Sequence, residues 1–315
     1  MRPPGAGGSR QAGGAAAVLL GAAAWGSTGT AAHFAPAGAS PVSIGAARIV
    51  LGGAVLLALA LRAGGLRALL GSSRLSLILA TVAVAGYQLC FFSAVRLTGV
   101  AIGTVLAIGS APVFTGIISA LTGGAALTGR WVLATAAAVA GCAVLVTGGQ
   151  AAGVRLGGVG LALLAGLCYA VYAVTAARLI SGGSSETVVM GVLFGGAAVL
   201  LAPVLAATSP GWLATGRGLA VTAYLGLVTT VAAYLLYGRG LRTIPAPAAV
   251  TLGLAEPVVA ALLGVAVLGE RLTSASVAGL VLVGLAIVIL TTGRAPAAGP
   301  DSAPADRPGR ADSPA

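Results

Sequence analysis

Long apolar runs alternate along the chain with short connections rich in small or polar residues. Ten such runs lie near 15–34, 42–61, 75–95, 100–121, 131–149, 157–177, 187–207, 218–237, 247–268 and 275–293. Each has roughly the 17–25 residues that a helix needs to cross the hydrocarbon layer. In lipid the backbone must satisfy its own hydrogen bonds, so the runs are predicted to be helices. The pattern thus predicts an all-α membrane protein of ten transmembrane helices. Residues 1–14, rich in Gly, are expected to form a disordered N-terminal lead, and residues 294–315, rich in Pro, Ala and Asp, a disordered tail. The first run has the arginines and small residues of a signal peptide, but it is long enough to stay as a span and nine more follow.

Composition agrees with the pattern. Hydrophobic residues make up 58% of the 315 positions and charged residues only 7%. A soluble domain carries about a quarter charged residues, so a lipid-facing surface is required here. Glycine is abundant, at 50 residues, and small residues let membrane helices approach closely. The net charge of +11 invites a nucleic-acid reading, but the basic residues are all Arg and are spread singly through the connections. No nucleic acid is expected as a partner. Cys90, Cys142 and Cys168 each fall inside an apolar run without a metal-spacing neighbour, so neither a disulfide nor a metal site is expected. With one His, no Lys and no Asp before Asp301, the chain lacks the parts of most hydrolytic chemistry, and no cofactor is expected.

The arginines also give orientation. With the N-terminus inside, twelve arginines fall in inside segments and four (Arg96, Arg155, Arg217 and Arg271) in outside loops, with Arg48 within a span. The positive-inside rule then places both termini in the cytoplasm of a bacterial cell, with the protein multi-pass in its inner membrane.

A shift of 145 residues superposes one half of the chain on the other. Pro112 falls on Pro257, Val105 on Val250 and Thr98 on Thr243. Gly124-x-x-Leu127-Thr128 falls on Gly269-x-x-Leu272-Thr273, and Thr147-Gly148 on Thr292-Gly293. The repeats are expected over 15–149 and 157–293, with five spans each. An odd number of spans inverts the second repeat in the membrane, and such pairs hold substrate near the midplane between them. Pro112 and Pro257 are the matched positions where a helix break is expected, because each proline removes one backbone hydrogen bond. A packing kink is the alternative.

A few side chains at membrane depth carry candidate chemistry. Glu256 lies mid-span beside Pro257, where a charge costs roughly 2.5–3.5 kcal/mol on insertion scales and so should face a cavity or a partner. It suits proton coupling or binding of a substrate ammonium; a structural carboxylate is the other reading. Arg48, in the second span, either meets Glu256 or a substrate carboxylate, or snorkels to the headgroups. Trp25, Ser27, Thr28, Tyr87, Gln88, Tyr169 and Tyr172 offer donors and flat surfaces for a small polar solute, or else simply pack.

Several short motifs sit in order along these spans: Ala24-Trp25-Gly26-Ser27, Ala47-Arg48, Glu256-Pro257-Val258-Val259-Ala260, Leu268-Gly269-Glu270-Arg271-Leu272-Thr273, and Gly279. Together with the five-plus-five repeat they resemble the EamA-type transporters of the drug/metabolite transporter superfamily, over residues 15 to 293. The resemblance implies a ten-helix fold with a central cavity and alternating access. It also implies export of amino acids, other metabolites or toxic compounds, usually coupled to protons. Ala125 stands where the second half has Glu270, so that loop acid occurs only once. The expected function is secondary active transport of a small polar metabolite such as an amino acid, or of a drug, with a homodimer left open. A channel or a sensory membrane protein without a transport cycle is the alternative.

Overall fold

A computed structural model describes residues 6–65, 69, 71, 74–98, 100–124, 127–147, 155–269, 271 and 273–292. Within them the chain is helical, with no strand. The helices are α1 Ala6–His33, α2 Pro41–Ala63, α3 Arg74–Thr98, α4 Val100–Leu121, α5 Gly129–Thr147, α6 Leu156–Ser181 and α7 Glu186–Ala207. They continue as α8 Gly216–Leu241, α9 Ala246–Leu268 and α10 Ser274–Thr291. Eight of these (α1–α3 and α6–α10) are long and apolar enough to cross a membrane. Among the described residues α4 and α5 offer shorter apolar stretches, Leu106–Leu121 and Gly129–Val144.

Local chemistry sets the helix ends. The Ser40 side chain accepts a hydrogen bond from Ser43 N at the start of α2, with Pro41 in the first turn, where its missing N–H costs nothing. Thr215 and Thr273 cap α8 and α10 in the same way. Gly269, with φ of 71°, ends α9 in the left-handed conformation that other residues avoid. Two helices are irregular. In α8 the segment Leu227–Ala232 is π-helical, and Thr229 and Thr230 both donate to the Leu225 carbonyl. Helix α9 breaks at Leu254–Ala255, between Ala246–Gly253 and Glu256–Leu268.

Packing partners repeat with the two halves exchanged. Helix α3 packs on α6 and α1 on α8; α4 packs on α6 and α1 on α9. The pairs α2–α7 and α5–α10 each join matching helices of the two halves. Close approach in the α2–α7 pair requires glycine: a Cβ on Gly53 would overlap the Phe194 carbonyl, and one on Gly191 would lie 2.5 Å from the Leu56 carbonyl. The main core gathers Val18, Trp25, Ile49, Leu56, Leu193, Phe194 and Tyr237 at the centre of the bundle. Large apolar residues point outward at helical spacing, as Val281, Leu285 and Val288 do on α10, which suits a lipid-facing surface.

Two expectations are corrected. Helix α1 starts at Ala6, inside the stretch 1–14 expected to be disordered, because continuing an existing helix adds one hydrogen bond per residue fixed. Helix α4 runs unbroken through Pro112, so only Pro257 of the matched prolines sits at a break. The tail 294–315, Ala125, Gly148, Glu270 and Leu272 lie outside the described residues.

Candidate functional site

Seven side chains from six helices meet at one small cavity: Trp25 of α1, Arg48 of α2, Tyr87 of α3, Tyr169 and Tyr172 of α6, Tyr234 of α8 and Glu256 of α9. Its volume is about 30 Å³, close to the share of one water molecule in the liquid. The rings form a continuous wall. Trp25 and Tyr234 have centroids 5.0 Å apart, Tyr234 and Tyr172 6.4 Å, Tyr172 and Tyr169 5.1 Å, and Tyr169 and Tyr87 5.9 Å. Phe194 backs Tyr234 at 3.9 Å.

The two charges reach this wall by different routes. Arg48 comes from the N-terminal part of α2 and is only 9% exposed. Glu256 opens the second piece of α9, directly after the break, where the partial positive charge of a helix start favours a carboxylate. Helix α1 lies close against it: a Cβ on Gly26 would stand 2.6 Å from the Glu256 carbonyl and 2.7 Å from Val259 Cβ. Helix α5 supports the break from behind. Thr135 and Thr251 share a hydroxyl hydrogen bond of 2.9 Å, and the Cys142 thiol donates to the Leu254 carbonyl at 3.8 Å.

Arg48 and Glu256 share the cavity without an ion pair. Among the described residues the pair within 4.0 Å is Arg242–Glu186, at 3.2 Å. Arg48 Nε and Trp25 Nε1 are buried without a hydrogen-bond partner. Both are obligate donors, so the cavity presents buried N–H groups suited to an acceptor such as a carboxylate.

The 145-residue shift adds an asymmetry. Arg48 corresponds to Leu193 and Glu256 to Ala111, both fully buried. The first half supplies the cation and the second half the anion on an otherwise repeated scaffold.

Other sequence candidates fall elsewhere. Ser27 hydrogen-bonds the Ala24 carbonyl and the Tyr224 hydroxyl, and lines a separate crevice with Thr30, Phe34 and Leu263. Thr28 has a buried hydroxyl without a partner and does not line the small cavity. Gln88, the neighbour of Tyr87 on α3, is buried but outside its lining. Sequence reasoning missed Tyr234. The signal was available, because the chain has six tyrosines and four of them line this cavity. Among the described residues no group of three or more His, Cys, Asp or Glu gathers as metal ligands.

The model of the EamA-like transporter family matches residues 12–147 and again 156–292, one copy over each half. The chain belongs to the EamA-like transporter family. Its relative in Bacillus subtilis (strain 168), named as the uncharacterized transporter YwfM, is 38% identical over 274 residues, covering 87% of this chain and 92% of that protein. A solved crystal structure shares the fold with a TM-score of 0.75 at 22% identity, over 89% of this chain and 96% of that one. This EamA-family chain is thus a multi-span membrane transporter, and its small cavity lies between the two family repeats.

Proposed function

We propose that this chain is a secondary active transporter that moves a small polar metabolite by alternating access. Its ten spans form two inverted repeats, with both termini cytoplasmic. The observation that carries the reading is the juxtaposition of Arg48 and Glu256, one from each repeat, in an aromatic-walled cavity between the halves. Glu256 exchanges a proton as the cycle turns, and Arg48 with Trp25 receives the acceptor end of the solute. At about 30 Å³ the cavity is water-sized, so the halves must part to admit a substrate.

The matched helix pairs α2–α7 and α5–α10 support rocking of one half against the other, since each is a self-related contact between the repeats. Export is the expected direction, with protons as the coupling ion. A homodimer is compatible with this plan. The test is counterflow in proteoliposomes loaded with a mixed amino-acid and metabolite pool. A flux that saturates and is stimulated by solute on the opposite side supports a carrier. A flux that rises without saturation identifies a channel.

A further inference from the structure

A second, larger cavity opens at the end of the bundle where α1 begins and α6 ends. It measures about 370 Å³ and takes residues from both halves, among them Gln11 and Ser119 from the first and Arg178, Ser181, Arg242 and Thr243 from the second. That volume lies in the range of small-molecule pockets, whereas the midplane cavity is roughly water-sized. In the orientation proposed above this end is cytoplasmic.

Charge on this lining is unbalanced. Arg242 is neutralised by Glu186, its ion-pair partner at 3.2 Å. Arg178 has no carboxylate within 4.0 Å among the described residues. Among the described residues its Nη2 donates one hydrogen bond, to the Thr122 carbonyl at 2.7 Å. A guanidinium has five N–H donors, so most of them remain for a ligand. The crevice at the opposite end of α1 has a similar volume, about 370 Å³, but among the described residues its lining, with Ser27, Thr30, Phe34 and Tyr224, holds no charge. The two described linings therefore differ in charge although the cavities are equal in size.

Helix α6 links this vestibule to the midplane. Arg178, Ala177 and Val174 line the vestibule, and Tyr172 and Tyr169, further along the same helix, line the small cavity. A carboxylate held at Arg178 is one helical segment away from the wall that surrounds Arg48.

We infer that the vestibule is a capture site for solutes bearing a carboxylate, with Arg178 as its specificity-determining residue. The inference rests on the transporter reading and adds where, and by what chemistry, the substrate is first held. Capture by a lone cation raises the local concentration of anions and falls off with salt.

The test places a reporter thiol at exposed Ser181 in the full-length protein. Labelling of Ser181→Cys in detergent micelles is measured with an anionic sulfonatoethyl and a cationic trimethylammonioethyl methanethiosulfonate. Each rate is corrected for reaction with a free thiol and for labelling of the parent chain. Residues three apart on a helix are roughly 5–6 Å apart, and one uncompensated charge at about that distance favours the anionic reagent roughly ten-fold at low salt. Arg178→Gln should bring the ratio close to one, and Arg178→Lys should keep it, since the charge remains. An amino-acid pool should slow labelling, and the matching pool of decarboxylated amines should not. A ratio near one in Ser181→Cys itself overturns the inference. So does a ratio unchanged by Arg178→Gln, or equal behaviour of the two pools. Counterflow of the same preparation in proteoliposomes separates the outcomes: flux without anion preference removes the capture site and leaves the transporter standing.

Discussion

Arg48 and Glu256 enter one cavity from opposite halves of the chain without closing to ion-pair distance. Each is the charge that the other needs, and among the described residues no other Asp or Glu lines that cavity. Their energetics should therefore be coupled through it. Arg48→Gln or Glu256→Gln alone is expected to lower thermal stability in detergent, because each leaves the remaining charge uncompensated. The double variant should recover part of the loss, with a coupling of about 1 kcal/mol or more. Additive losses in a thermal-unfolding cycle would show that the two charges do not sense each other.

Gly26 is the point where α1 touches the start of the second piece of α9. A methyl group there meets backbone, which cannot swing aside, so Gly26→Ala should destabilise by about 1–3 kcal/mol. Gly29, one turn on, has nothing within 4 Å of an added Cβ. Gly29→Ala should be tolerated or slightly stabilising. Thermal unfolding of the two variants side by side checks the contrast, and equal effects would contradict the packing described for α1.

Trp212, in the short turn between α7 and α8, donates its indole N–H to the Ser43 hydroxyl of α2 at 2.8 Å, with both residues buried. Ser43→Ala leaves that N–H unpaired and should cost about 1–3 kcal/mol. Removing both polar groups, as in Ser43→Ala with Trp212→Phe, should cost less than the sum of the two single changes. The same unfolding assay reads it, and simple additivity would mean that the hydrogen bond contributes nothing.

Much of this was legible in the sequence, and what was not has a physical cause. The eight helices long and apolar enough to cross a membrane among the described residues follow from run length alone. Arg48 and Glu256 stood out because a charge at membrane depth is costly and needs a reason to be there. Trp25, Tyr87, Tyr169 and Tyr172 stood out because aromatics are scarce, at 4% of the chain. Which face of a helix turns inward was not legible. Lipid and protein interior are both apolar, so these helices carry almost no periodic signal to orient them. Ser27 shows the consequence: two residues beyond Trp25, it is turned by about 200° on the helix and lines a different crevice. The π-helical segment of α8 and the continuity of α4 through Pro112 depend on tertiary packing that no local residue pattern reports.

The most direct test of the account is proton-driven transport by Glu256→Gln. Wild type and variant are reconstituted into proteoliposomes, and two quantities are measured with the same solute pool: solute exchange at equal pH, and net uptake driven by a pH gradient. The account predicts that wild type performs both, while the variant retains exchange and loses net pH-driven uptake. Net pH-driven uptake by Glu256→Gln at the wild-type rate would contradict it, because the proton would then be carried elsewhere.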